Sequence, residues 1–552
     1  MSNKNQRIKG KKAPFLVINF FNLILIFTVC LVVTITINAL TTACTNAFIR
    51  PGNSPLKISS NSPIGINLNG IDDWTTQWPF VDAFKISRPW ISQHKDSAWG
   101  QGGPLHLTPD GWIASLAQDQ YADTVMFDDG VGHYPSGKYV LLYDGQGTIN
   151  FLFGSASVVS QTPGRTVLNV VPKPTGIFIR ILATEPKNPM HNIRLIMPGF
   201  ENTYKTQPFH PSFLQRLAKF KTIRFMDWMK TNNSNISNWS DRPTPKSATF
   251  ADKGVALETM INLANTLHAN PWFNIPHLAT DDYVRRFAIN VRDRLDPSLK
   301  PHIEYSNEVW NTVFSQTKYA QQQGLALGLD QNSYTAGLHY YSQRAVEIFK
   351  LCSQVFGEKR LVRILASQAV NPWTGGQVMT WKSAYKYADA YAIAPYFDGG
   401  NLNDPAQVDT TLQMNENQII DKISNHINNG MKQYVTDNYN QANQHGLRLF
   451  AYEGGAGLES SSMPADKEPQ VTALFEAVNR NPRMRDVYVN YLNMWQANGG
   501  KLLNQFVDVS RSSKYGSWGA LEYQDQDPNT APKYLGLMDF ITQKPAISVN
   551  SP

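Results

Sequence analysis

The sequence predicts an α/β chain: a (β/α)8 barrel of the TIM type carrying an inserted antiparallel β-sandwich. Three observations point there. After residue 205, short apolar runs alternate with amphipathic helical patterns, as in βα units around a parallel sheet. Those runs number seven, and a further one near residue 64 makes eight, the number that closes a ring. Between the first run and the second, residues 101–204 read as strands and turns only. A doubly wound open sheet is the competing architecture.

Composition bounds the rest. The chain has 552 residues, 42% of them hydrophobic and 17% charged, so it buries a large core and is not a disordered polymer. The net charge of +7 is concentrated at one end: Lys4, Arg7, Lys9, Lys11 and Lys12 lie in the first twelve residues, and without those five, 45 basic face 43 acidic residues. A nearly neutral body lacks the phosphate-neutralising surface that nucleic acid requires, so no nucleic-acid partner is expected.

Residues 1–50 are a basic start followed by an uncharged apolar run over 15–40. Those 26 residues span about 39 Å as a helix, enough for a bilayer. The positive flank holds the amino end in the cytoplasm, so the expected location is extracytoplasmic, with the membrane as a partner through this segment. Residues 40–44 (LTTAC) resemble a bacterial lipoprotein processing box with Thr41 in place of a branched aliphatic. Lipidation at Cys44, an uncleaved anchor and removal beyond Ala43, giving a secreted protein, are the alternatives. Only Cys30, Cys44 and Cys352 occur, so the exported body has no internal disulfide and relies on packing, with Cys352 a buried small hydrophobe.

Residues 51–62 (PGNSPLKISSNS, ending at Ser62) form a linker of Pro, Gly, Ser and Asn. The barrel begins over 63–100 with IGINLNG as its first strand. Over 101–204, GWIASL, DTVMF, KYVLLYDG, TINFLF, TVLNVV, GIFIRILAT and NIRLIMPG are strands separated by turn residues, hence the sandwich. The barrel resumes over 205–545 with TIRFMDW, NPWFNIP, HIEYSNE, LVRILAS, AYAIAPY, LRLFAYE and LLNQFVDV. Helical patterns such as 254–268, 281–295 and 333–352 lie between them.

In a closed barrel the working face lies at the carboxyl ends of the strands. Glu308 ends HIEYSNE beside Asn307, and Glu453 ends LRLFAYE before two glycines. A carboxylate closing an apolar strand is costly unless it is hydrogen bonded or used. Two of them in one cleft, with pKa values pushed apart, perform acid/base and nucleophilic work on a glycosidic bond. The plain alternative is that each is a surface residue at a strand end. Metal and other nucleophile chemistry finds no pattern: the eleven histidines are scattered, and no HExxH, GxSxG or P-loop occurs, so no metal or cofactor is expected.

The stretches YSNEVWN (305–311) and FAYEGG (450–455) resemble the two active-site strands of clan A glycoside hydrolases, retaining enzymes on (β/α)8 barrels. The clan places an Asn-Glu pair after strand four and a nucleophilic Glu after strand seven, the positions of Glu308 and Glu453 in the strand order above. The resemblance covers the barrel and implies Glu308 as acid/base and Glu453 as nucleophile. It further implies that Arg224 on strand two keeps the nucleophile ionised, that Asn307 bonds the sugar 2-hydroxyl, and that His277 contacts the sugar. Tyr396 matches the tyrosine that bonds the nucleophile, and Trp518 an aromatic platform after strand eight. Many members carry a His two residues before that tyrosine, where this chain has Ala394, so the exact family is not identified. Trp310, with Trp228, Trp272 and Trp373, also follows a predicted strand and offers a ring face to sugar. Asp73 and Asp227 are further candidates for sugar hydroxyls, while Asp281 and Asp282 read as a helix start.

The expected function is that of an exported retaining glycoside hydrolase cleaving a β-linked poly- or oligosaccharide. The alternative is a non-catalytic carbohydrate-binding or scaffold protein on the same barrel, with the β-rich domain doing the recognition.

Overall fold

The computed structural model describes residues 64–542. The apolar run, Cys44 and the linker lie outside the described residues, among which no helix is long and apolar enough to cross a membrane.

Eight parallel strands close a barrel. They are β1 (Ile64–Asn67), β2 (Thr222–Arg224), β3 (Asn270–Ile275), β4 (His302–Tyr305), β5 (Val362–Ala366), β6 (Ala390–Ile393), β7 (Arg448–Ala451) and β8 (Gly500–Gln505). The ring shuts where β1 pairs with β8, Ile64 opposite Leu503 and Ile66 opposite Gln505, which rules out the open sheet. Closure brings backbones close: a Cβ on Gly65 would stand 1.9 Å from the Asn504 side chain and 2.8 Å from the Thr222 carbonyl oxygen, so only glycine fits there.

Alternation along each strand decides what fills the lumen. Trp272, Val362, Ile364, Ala390, Ala392 and Phe450 form a separate apolar cluster, with Trp272 stacked on His302 at 5.6 Å. The same period carries polar side chains inward near the top: Arg224 sits opposite Trp272, and Glu304 opposite Asn274 and Ile364. The outer faces of the strands pack under helices such as Leu257–Leu267, Asp281–Arg294 and Ser333–Phe356, in the large core. Thr280 caps the helix that Asp281 and Asp282 open, its hydroxyl accepting from the Tyr283 amide, and Cys352 is buried in the long helix.

Between β1 and β2 the chain builds two four-stranded antiparallel sheets. One runs Ile91–His94, Gln120–Met126, Ile177–Thr184, Gly147–Leu152 in spatial order, and the other His191–Ile196, Gly137–Asp144, Arg165–Val170, Ala156–Thr162. Ile177, Ile179 and Ile181 from the first sheet share a core with Tyr139, Leu141, Leu168 and Leu195 from the second. Two strands carry no apolar alternation and were invisible in the sequence: the short Ile91–His94 and the almost wholly exposed edge strand Ala156–Thr162. The first of them starts ten residues before the point where the sequence suggested the β-rich stretch begins. GWIASL, in contrast, yields only Ile113–Ser115, half of a small hairpin with His106–Leu107.

The sheets are fastened to the barrel mouth. Arg88 bridges Asp73, in the loop after β1, to Asp128 at the end of a sheet strand. Arg511, in the loop after β8, donates to the Asp129 carbonyl at 2.9 Å, and His133 stacks on Tyr523 at 3.9 Å.

Candidate active site

Arg224 is the hub of the mouth. It is 0% exposed and donates to four side chains. Nη1 reaches Glu453 Oε1 at 2.6 Å and Asn67 Oδ1 at 3.1 Å, while Nη2 reaches Glu304 Oε2 at 2.9 Å and Asn307 Oδ1 at 2.8 Å. Strand alternation places it: the inward residue at the end of β2 faces the inward residues of β1 and β4 and the loop after β7. Burial opposes its charge, but Glu304 and Glu453 outweigh that, so the guanidinium stays protonated. Glu453 is held from the other side by the Tyr396 hydroxyl, which donates to Oε2 at 2.8 Å. Glu304 takes a further bond from Trp272 Nε1 at 2.8 Å. Burial raises its pKa against the pull of Arg224.

Glu308 is presented by a tight, costly loop. Ser306 (φ 57°) and Glu308 (φ 43°) both adopt left-handed backbone, at about 1–3 kcal/mol each. Several bonds enforce it. The Ser306 amide donates to the Ile275 carbonyl at 2.8 Å, Asn274 Nδ2 to the Ser306 carbonyl at 2.7 Å, and Gln316 Nε2 to the Asn307 carbonyl at 2.9 Å. Both Glu308 oxygens then meet donors: Asn311 Nδ2 at 2.9 Å on Oε2, and the Tyr452 hydroxyl at 3.0 Å on Oε1. Trp310 Nε1 donates to that same hydroxyl at 3.3 Å. An indole N–H can only donate, so it orients the Tyr452 proton toward Glu308. Tyr452 immediately precedes Glu453 in the chain, and this bond ties the β4 loop to the end of β7.

The two carboxylates therefore have different surroundings. Glu453 lies against a buried cation and a phenol. Glu308 has no cation in contact, and burial first and the charge of Glu453 second push its carboxyl up to about 7, against the bonds from Asn311 and Tyr452. Asp227, whose carboxyl makes no hydrogen bond to a described residue, is likewise pushed up to about 7 by burial and by Glu453. One group poised near neutrality beside one fixed by an arginine is an acid/base and nucleophile arrangement.

The structure gathers Asn307, Arg224, Glu453 and Tyr396 into one hydrogen-bonded group and Glu308 and Trp310 into a second around the Tyr452 hydroxyl, the two joined by Asn67, whose Nδ2 donates to the Tyr452 carbonyl at 3.0 Å. Trp518 joins the first by ring contact, 5.4 Å from Tyr396, with its own N–H on the Tyr515 carbonyl. His277 stands apart: its imidazole makes no hydrogen bond to a described residue, Nδ1 is buried without a partner, and burial lowers its pKa to about 4, so it is neutral. Trp228 and Trp272 must be corrected as ring platforms, because both are fully buried, the second as lumen filling. Asp73 is taken up by Arg88 rather than left free for a ligand. Missed in the sequence were Asn67, Glu304, Tyr452, Asn311 and Asn232, whose Oδ1 accepts from Asn307 at 3.1 Å and from Gln316 at 2.7 Å. For Glu304 a signal existed: a charge in the middle of an apolar barrel strand must find a partner in the lumen. Among the described residues, no cluster of His, Cys, Asp or Glu is arranged to hold a metal ion.

No protein-family model matches the chain, and no curated protein matches it. Among solved structures, it is similar to a 4-O-α-L-rhamnosyl-β-D-glucuronidase from Fusarium oxysporum 12S at 12% identity and a TM-score of 0.37, over 62% of this chain and 66% of that one, just under two thirds of its length. It is similar to xylanase 10B from Thermotoga maritima at 10% identity and a TM-score of 0.33, over 60% and 89% of the two chains. A third likeness, to a Bacteroidetes-affiliated GH5 cellulase, has 11% identity and a TM-score of 0.35, over 61% and 87%. All three are glycosidases, and at these identities and scores none assigns an activity to this chain.

Proposed function

We propose that the protein is a retaining glycoside hydrolase of the clan A type, cleaving a β-linked glycan by double displacement. The observation that carries this reading is the convergence of Glu308 and Glu453 at one mouth, the first presented on the Tyr452 hydroxyl and raised to about 7 by burial and by the charge of the second, which is seated on Arg224 and Tyr396.

In the first step a Glu453 oxygen attacks the anomeric carbon. The bond from that carbon to the leaving oxygen breaks, and Glu308 gives its proton to the departing sugar. In the second step water adds to the anomeric carbon and the ester bond to Glu453 breaks. Glu308, now a carboxylate, takes the water's proton and is restored. Arg224 and Tyr396 fix the Glu453 oxygens for in-line attack. Asn307, with one amide N–H on Asn232, has its second N–H for the sugar 2-hydroxyl. Trp518 and Trp310, both partly exposed, supply ring faces, and the neutral His277 binds a hydroxyl rather than moving protons. The protein acts outside the cytoplasm, tethered by the uncleaved segment 15–40 or by a lipid at Cys44, or released beyond Ala43, a reading that rests on the sequence alone.

Proton NMR of a β-linked oligosaccharide during turnover tests the mechanism. The β-anomer is expected to accumulate first and to mutarotate afterwards; initial release of the α-anomer refutes double displacement.

A further inference from the structure

The sheet formed by Ile91–His94, Gln120–Met126, Ile177–Thr184 and Gly147–Leu152 buries Ile177, Ile179 and Ile181 on one side and turns Phe178, Arg180 and Leu182 to the other. That outward face is unusually furnished. At one end, Trp99 (54% exposed) and Phe153 (56% exposed) flank Phe178, with ring centroids 6.2 and 4.7 Å away, both edge-on. Phe153 is held in left-handed backbone (φ 60°), a conformation a bulky residue avoids, with its carbonyl fastened by Lys173 Nζ at 3.1 Å. The fold thus keeps a strained phenylalanine in place with its ring in solvent.

Midway, Arg180 makes a two-pronged bond to Asp123 at 2.7 and 2.8 Å and lies over the Tyr121 ring at 4.1 Å. Asp123 is 0% exposed, so the guanidinium is neutralised and immobile. Gln93, directly opposite Tyr121 on the edge strand, is only 3% exposed. Its Oε1 accepts from the Gly100 amide, but its Nε2 has no partner. At the far end a hollow of about 460 Å3 opens beside Lys95, Gln120, Tyr121, Leu182 and Thr184, within the ~300–1,000 Å3 typical of small-molecule sites. From Phe178 to Thr184 the strand runs about 20 Å.

We propose that this face binds an extended, uncharged β-linked glycan at a site separate from the barrel mouth. Two exposed rings at one end offer apolar faces to the C–H surfaces of a pyranose, and the fixed planar Arg180–Asp123 pair and the polar-lined hollow beyond them offer partners to its hydroxyls. The central ion pair is internally balanced and Lys173 is turned onto the Phe153 carbonyl, so Lys95 beside the hollow is the cation of this face that stands without an acid partner among the described residues. The assignment takes its ligand class from the glycosidase reading, while its test needs no turnover.

The full chain carrying Glu453→Gln is passed through affinity gels containing cellulosic β-glucan, xylan, mannan or galactan, with and without Trp99→Ala and Phe153→Ala. Retardation on at least one neutral glycan is expected, weakened at least tenfold by the two substitutions together. Each single substitution should give a partial loss with an unchanged circular dichroism spectrum. In the otherwise unaltered chain, the same two substitutions should leave turnover of a short soluble oligosaccharide within twofold. Retardation on none of the gels, equal retardation of the substituted chain, or a Trp99-dependent dimer in sedimentation overturns the proposal. Failure of the retaining mechanism with a Trp99-dependent retardation intact would sink the enzymatic reading and leave this site standing.

Discussion

Two arginines, each gripping carboxylates, sit in the two halves of the molecule, and their difference explains why chemistry is expected in one half only. In the antiparallel sheets Arg180 meets one acid, Asp123, and the pair closes on itself. In the barrel Arg224 meets two, Glu304 and Glu453, and is fully enclosed. The next acid along, Glu308, is buried beside this cluster without a cation of its own, and burial first and the charge of Glu453 second drive it toward its protonated form. A self-contained pair builds a surface. A buried acid beside another acid holds a proton.

The contrast is broken most severely at Glu453. Glu453→Gln removes the proposed nucleophile together with the charge that helps to raise Glu308, and turnover of a β-linked substrate should fall by on the order of 10⁴–10⁶-fold. The thermal midpoint should hold or rise, because Arg224 keeps Glu304. Near-normal turnover with intact folding would contradict the assignment.

A finer test alters only the donor to Glu308. Tyr452→Phe removes a bond that favours the carboxylate, so the pKa of Glu308 rises and the acid form persists to higher pH. The basic limb of kcat/KM, expected near 7 in the parent, should move upward by up to about one pH unit. A downward shift, or none, would show that the phenol does not act on Glu308.

The smallest effect belongs to the balanced pair. Asp123→Asn keeps the shape but turns one of the two acceptor oxygens into an NH2 donor, so one of the Arg180 bonds is lost with the charge and urea unfolding should report a loss of about 1–3 kcal/mol, with turnover of short soluble substrates and its pH profile unchanged. A displaced pH profile would mean that the two halves share one electrostatic system.

The barrel was legible in the sequence because closure demands periodic apolar runs, and eight such runs survive as strands in the expected order. Glu308 and Glu453 were legible because they stand where those runs stop. What escaped was whatever depends on three-dimensional proximity. Tyr452 looks like one more apolar residue of β7 until the lumen turns its hydroxyl toward the β4 loop. Asn232 reads as part of a polar N-x-S run until the loop after β2 folds it onto Asn307. Trp272 shows how a tryptophan inside an apolar run is misplaced: it is the third residue of β3, below the mouth, and its ring fills the barrel. The edge strand Ala156–Thr162 had no signal, since backbone pairing with Arg165–Val170 forms it while its side chains face water.

In the proposed mechanism Glu453 forms a covalent bond to the sugar. Incubation of the full chain with 2-deoxy-2-fluoro glycosides carrying an activated leaving group, followed by peptide mass mapping, tests it directly. One sugar per chain is expected on the peptide containing Glu453, with faster turnover of the adduct when an acceptor sugar is added. Labelling at Glu308, or at Glu304 or Asp227 instead, would contradict it.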